Sequence, residues 1–156
     1  ADVTGEGFRQ NRAAGENIIP SKTTSSNVIQ EVLPFLKNKI TSSSMTVPVP
    51  DGSIVDLTID VKEKTSSKQI NQIIEDNILS KYIVNRIDIT YDPIVSSDVV
   101  GSSLSGLVDG KSTMDIEDKK IKILIWFDNG WGYSSRIIET IKIYQDKGYD
   151  KWTMLQ

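Results

Sequence analysis

The segment from Trp126 to Tyr133, WFDNGWGY, gathers the groups in this sequence best placed to touch a ligand. An apolar run ends there in Asp128 and Asn129, and polar groups at the end of a buried strand can face a cleft. The same residues also suit a turn in which Asp and Asn cap the following helix while the aromatics fill core. A second candidate is Gly106–Ser112, GLVDGKS, which has the glycines and the Lys-Ser pair of a phosphate loop. That loop needs four residues between its glycines and three stand here, so different backbone N–H groups would converge on a phosphate. An ordinary glycine-containing loop is expected instead. Asp115, Glu117, Asp118, Lys119 and Lys120 mix both charges just before an apolar run. This fits a solvated turn better than a metal or acid–base cluster. No pair of carboxylates has a spacing that suits glycoside hydrolysis.

What is missing narrows the chemistry further. The 156 residues include no cysteine and no histidine, so a thiolate nucleophile, an imidazole base and a Cys/His metal site lie outside this chain's means. A formal charge of −3 offers no basic footprint for nucleic acid. No apolar run approaches the ~18 residues needed to cross a bilayer, and no charged leader opens the chain. Neither nucleic acid nor membrane is an expected partner. Absence of cysteine suits the cytosol and the exterior equally, so the compartment stays open. A start at Ala1 rather than Met implies processing, excision from something longer, or an incomplete chain.

The elements that must position these groups follow from periodicity. With 38% hydrophobic and 25% charged residues, one domain with its own core is expected. Residues 1–20 read as an extended or looping arm closed by Pro20. Ile29, Val32, Leu33 and Leu36 have helical spacing over 24–38, with a bend at Pro34. Ser66 and Gln69 have capping-box spacing ahead of the stripe Ile70, Ile73, Ile74 and Ile78, in a helix ending before Tyr82. A third helix is expected over 134–147, with Ile137, Ile138, Ile141 and Tyr144 on one face and Gly148 as its stop. Alternation predicts strands over 55–62 and 87–92, each with one wet face. The continuous apolar run 121–127 predicts a central strand. Met45, Val47 and Val49 suggest a further strand that turns at Asp51-Gly52 into the next. Helices packed on one face of a mostly antiparallel mixed sheet, class α+β with three long helices, accommodate all of these. A doubly wound nucleotide-binding sheet lacks its strand–helix alternation and its glycine-rich turn.

Several ordered segments resemble the catalytic domain of phosphorylating glyceraldehyde-3-phosphate dehydrogenases. They are Arg12–Ala14 with Asn17–Pro20, Val32–Pro34, Val47–Pro50 with Ser53–Leu57, and Val95–Asp98 followed by Trp126–Asn129 and Trp131–Tyr133 through Arg136. The likeness runs from about Arg9 to Lys147. It implies a glyceraldehyde-3-phosphate-dehydrogenase-like domain over 21–148, partial and diverged, followed by a tail over 149–156. It also implies the α+β sheet already suggested by periodicity.

In that family a cysteine thiolate attacks the aldehyde, a histidine acts as base, and NAD accepts hydride. The resemblance implies that both residues and the dinucleotide-binding domain lie upstream of Ala1. Carried over by position, Thr23 matches the phosphate-site threonine and Arg12 an arginine near that anion. Asn129 and Tyr133 match residues beside the nicotinamide. Plainer roles for the same residues are helix capping for Thr23, a surface ion pair for Arg12, and turn structure for Asn129 and Tyr133.

There are departures as well. Thr24 replaces an expected glycine, Thr46 an expected arginine, Gly130 a glutamate and Asn27 a common lysine. The loss of a guanidinium removes a bidentate phosphate clamp. The expected outcome is a chain inactive alone, with NAD implied by the family but not held by this chain by itself. The alternatives are a non-catalytic assembly module on the same scaffold and the C-terminal piece of an active enzyme. Homo-oligomerisation, or docking of a missing N-terminal nucleotide-binding domain or another protein partner, would cover the flank that truncation leaves. The resemblance implies a cytoplasmic setting.

Overall fold

The computed structural model describes residues 7–9 and 11–146, which fall into two compact units dividing after Pro50. Gly148 and the expected tail over 149–156 lie outside the described residues, as do residues 1–6 and Gln10 of the opening arm.

In the first unit, β1 (Ile19–Ser21) pairs antiparallel with β2 (Ser44–Thr46), placing Ile19 opposite Thr46 and Ser21 opposite Ser44. Between them lies α1 (Ser25–Val32). The helix expected to reach residue 38 stops at Val32. Proline lacks the N–H that would continue the ladder and pushes the preceding residue out of helical geometry. Leu33 accordingly takes φ −123° and ψ 77°, and Pro34–Leu36 forms a single 3-10 turn. The Gln30 side chain ties off this end, since its Nε2 donates to Ser26 O at 2.9 Å while its Oε1 accepts from Asn38 N at 2.8 Å. The strand expected through Met45, Val47 and Val49 ends at Thr46, because Pro48 and Pro50 supply no ladder donors. Its partner is β1; it does not hairpin through Asp51-Gly52 into β3.

The second unit holds a five-stranded sheet in the order β3-β7-β5-β4, with β6 also on β7. Its strands are β3 (Ser53–Asp60), β4 (Ile87–Thr90), β5 (Gly106–Asp109), β6 (Met114–Glu117) and β7 (Lys120–Phe127). Every pairing is antiparallel except β4 with β5. The apolar run expected to be central is central: β7 bonds β3 along its whole length, from Ser53↔Phe127 to Asp60↔Lys120. On one face the alternation puts Val55, Leu57 and Ile59 opposite Ile125, Ile123 and Ile121. Val108, Ile121 and Ile123 form the buried core, with Ile59, Ile89 and Ile125 beside them and Ile70 and Ile74 of α2 (Ser67–Asn77) packed on top. Burying an isoleucine contributes about 1.5–3 kcal/mol, so this cluster binds α2 to the sheet.

Ser66 caps α2 as its spacing predicts. Its hydroxyl accepts from Gln69 N at 3.3 Å and donates to Gln69 Oε1 at 3.3 Å. Three strands are not expected from the sequence: β1 lies at the end of the arm, β5 in the glycine-containing loop, and β6 in the charged turn. The class is α+β with a mixed, mostly antiparallel sheet and three helices, although α1 has only eight residues and belongs to the first unit.

The last helix, α3 (Asn129–Asp146), begins five residues before the expected Ser134. Its start packs closely, since a Cβ on the buried Gly132 would lie 2.7 Å from Leu104 O. Farther along, the apolar stripe is open: Ile137, Ile138, Ile141 and Tyr144 are 45–56% exposed. Among the described residues no helix is long and apolar enough to cross a membrane.

Candidate functional site

Where β7 meets α3, one carboxylate organises the backbone. Asp128, 2% exposed, accepts from Trp131 N through Oδ1 and from Gly101 N through Oδ2, both at 2.8 Å. The first bond caps α3, which is why the helix starts at Asn129 despite two glycines in its first turn. The Trp131 and then the Gly101 N–H hold the Asp128 carboxyl below the usual carboxylate range, outweighing the effect of burial. Asp128 is therefore an anionic anchor at neutral pH and has no proton to donate.

Asn129 and Tyr133 follow on α3, four residues apart and so on one face. Both are exposed, Tyr133 at 69%. They present an amide and a phenol at the helix start. The aromatics of the segment do not all fill core as the capping reading would have it. Trp131 is 62% exposed, whereas Trp126 is half-buried and its Nε1 donates to Asp109 Oδ2 at 3.4 Å.

In the first unit, Arg12 and Arg9 border a cleft of about 320 Å3 with Phe8, Asn17, Ile19 and Pro20. Its lining thus includes two guanidinium groups. Thr23 does not line this cleft. Its hydroxyl accepts from Ser25 N at 3.2 Å and pairs with Ser25 Oγ at 2.8 Å, so it serves the start of α1. Thr24 has φ −103°, a conformation that asks for no glycine, and makes no side-chain capping bond. Thr46 is exposed on β2, with its Oγ1 3.4 Å from Ser21 Oγ. Arg12 and Thr23 thus share the first unit, and Asn129 and Tyr133 share the second.

One group of charges escaped the sequence reading. Glu139 Oε2 accepts from Arg86 Nε at 2.9 Å, and its Oε1 accepts from Arg136 Nη2 at 2.6 Å. Arg136 Nη1 donates on to Ser105 Oγ at 2.8 Å. The Arg86 bond, with the Arg136 charge beside it, holds the Glu139 carboxyl below its usual range. Only the Arg136–Glu139 spacing on one helix is visible in the sequence; nothing local signals Arg86.

The family model for the glyceraldehyde 3-phosphate dehydrogenase C-terminal domain matches residues 1–129. This chain belongs to that family. Glyceraldehyde-3-phosphate dehydrogenase of Borreliella burgdorferi is 43% identical to it over 139 residues, covering 88% of this chain and 42% of the relative. Glyceraldehyde-3-phosphate dehydrogenase 2 of Bacillus subtilis is 37% identical over 135 residues, covering 86% and 39%. The cytosolic glyceraldehyde-3-phosphate dehydrogenase of Ginkgo biloba is 38% identical over 134 residues, covering 86% and 39%. The chain spans about two-fifths of the length of these relatives. Within this glyceraldehyde-3-phosphate dehydrogenase domain, Arg12, Thr23 and Asn129 fall inside the matched stretch, and Tyr133 lies beyond it. Gly130 is not demanded by the backbone: an added Cβ would meet only Asp128 Oδ1, at an ordinary 3.5 Å.

Proposed function

We propose that this chain provides the downstream wall of the site for an NAD-dependent, phosphorylating oxidation of an aldehyde, and that it is inactive alone. The observation that carries this reading is a family match over residues 1–129 in a chain with no cysteine and no histidine. The family's reaction needs a thiolate to form the thiohemiacetal and an imidazole to take its proton. Another polypeptide segment must bring both.

In this reading Arg12 serves the phosphate side, Thr23 joins it only by giving up its Ser25 bonds, and Asn129 and Tyr133 serve the nicotinamide side. Arg12 borders a cleft that already holds a second guanidinium, which favours an anion there. The weakness of the site is equally specific. Thr46 has a hydroxyl and no charge, so a sugar phosphate would be held loosely. Asn129 fits a nicotinamide carboxamide edge, because its exposed amide carries both donors and an acceptor. When bound, NAD supplies the hydride acceptor. The chain offers only this edge of a nicotinamide site, so the dinucleotide must be held by a separate nucleotide-binding domain.

The open stripe of α3 supports the partner part of the proposal. Ile137, Ile138 and Ile141 leave apolar area that a second copy of the chain or the nucleotide-binding domain would cover. The same stripe is what a non-catalytic assembly module would use, and this is the second reading. An assay with glyceraldehyde 3-phosphate, phosphate and NAD separates them. The purified chain is expected to give no NADH, and mixing it with a segment that carries the cysteine, the histidine and the nucleotide-binding fold is expected to restore turnover. NADH formation by the chain alone would overturn the first reading. Stable complex formation without turnover would favour the second.

A further inference from the structure

A second cleft, of about 290 Å3, opens beside α2 and contains none of Arg12, Thr23, Asn129 and Tyr133. Asn71 is the only buried residue of α2, at 7% exposure. An amide buried there is costly unless each polar atom is bonded. Its Nδ2 donates to Gly110 O at 2.8 Å, which fixes how the amide is turned, and its Oδ1 has no partner. Tyr91 walls the cleft. Its ring lies so close over Gly110 that a Cβ there would come within 2.5 Å of Cε1. The Tyr91 hydroxyl donates to Glu75 Oε1 at 2.7 Å.

That bond uses the only proton of the phenol. The hydroxyls of two other lining residues are also committed within the protein: Thr113 Oγ1 donates to Asp109 O at 3.3 Å, and Ser67 Oγ to Asp115 Oδ2 at 3.0 Å. The acceptors without a partner are Asn71 Oδ1 and the second oxygen of Glu75, and the Tyr91 ring adds an aromatic face, while the phenol oxygen itself is engaged by the Asn71 amide. The one cation on the lining, Lys68, stands three residues before Asn71 and seven before Glu75 on α2, about 4.5 and 10 Å away along the helix, so its charge opposes a cation at the Asn71 end.

We infer that this cleft binds a compact cation that carries N–H donors, an alkylguanidinium or alkylammonium headgroup. The headgroup hydrogen-bonds to Asn71 Oδ1 and the Glu75 carboxylate, and it rests against the Tyr91 ring. The same headgroup comes either from a free small molecule or from an arginine or lysine side chain of a partner.

Titration of the 15N-labelled chain tests this. One arm uses methylguanidinium chloride, a second a blocked tripeptide with central arginine, and a third tetramethylammonium, which has the charge but no N–H. Saturable shifts at Gly110, Thr113 and the Asn71 side-chain amide are expected from the N–H donors and not from tetramethylammonium. Comparable affinity for the first two probes assigns a free ligand, and response to the peptide alone assigns a partner's side chain. Glu75→Gln should weaken binding at least tenfold, and Lys68→Met, on an exposed position, should strengthen it about threefold. No saturable shift from either guanidinium probe, an equal response to tetramethylammonium, or an unchanged affinity in both variants would overturn the inference.

Discussion

Arg86 and Glu139 lie 53 residues apart in sequence, yet the Arg86 Nε–Glu139 Oε2 distance is 2.9 Å. The first residue stands just before β4 and the second is in α3, so this pair and the Arg136 bond fasten the last helix to the sheet. Removing the carboxylate leaves two half-buried guanidinium groups together, one with an Nε that already has no partner. Glu139→Ala is expected to cost about 1–2 kcal/mol, a range discounted for partial solvent access. Urea unfolding measures it.

Acid should loosen the same region. Asp128 and Glu139 both titrate below their ordinary values in the folded chain. Their contribution is therefore complete above the unfolded-state values, near 4, and is lost as pH falls through the lower folded values. The urea midpoint should be nearly flat between about pH 6 and 8 and drop below about pH 4. In Asp128→Asn the acid drop should be shallower, from a lower starting stability.

Two glycines give a paired test of the backbone. Gly52 and Gly101 both have positive φ, 84° and 81°. A Cβ on Gly52 would also lie 2.1 Å from Ser96 O, whereas Gly101 has open space around it. Gly101→Ala should cost about 1 kcal/mol, from the left-handed conformation alone. Gly52→Ala should cost clearly more, about 3 kcal/mol, because backbone must move as well. Equal losses would mean that the Ser96 contact is dispensable.

Tyr91 should titrate late. The Glu75 hydrogen bond keeps its proton on and raises its pKa above the ordinary value, with burial adding to the effect. The stability this bond gives is present below about pH 10 and is lost as pH rises through the higher folded value. Ultraviolet titration of the chain, which has five tyrosines, should show a late component that disappears in Tyr91→Phe and moves down in Glu75→Gln.

The α3 stripe predicts association. The isolated chain should self-associate or bind an apolar dye, and Ile138→Asp with Ile141→Asp should reduce both. These side chains are 55% and 54% exposed, so the double variant should unfold within about 1 kcal/mol of the parent. Light scattering and urea unfolding together separate lost association from lost stability.

The parts legible in the sequence share one property: their signal is local and repeated. Ser66 with Gln69 and the isoleucines of α2 mark that helix, and the uninterrupted apolar run marks β7 as central. β5 has four residues, opens on a glycine and sits between turns, so it shows no period. β6 is exposed throughout because it pairs along one side only, and its charges read as a turn. The true start of α3 was masked by Gly130 and Gly132, poor helix formers whose cost is offset by the Asp128 cap. At the candidate site the importance of 128–133 was visible as polar groups closing an apolar run. Arg86 was not, since its partners are set by tertiary packing.

The position of β7 at the centre of its sheet has a consequence for synthesis. β3 finds its partner along its full length only when Phe127 has followed Ser53 out of the exit tunnel. At about 5–20 residues per second, that nascent strand waits several seconds with its edge unsatisfied. During that interval chaperones and sister polypeptides on the same message compete for it.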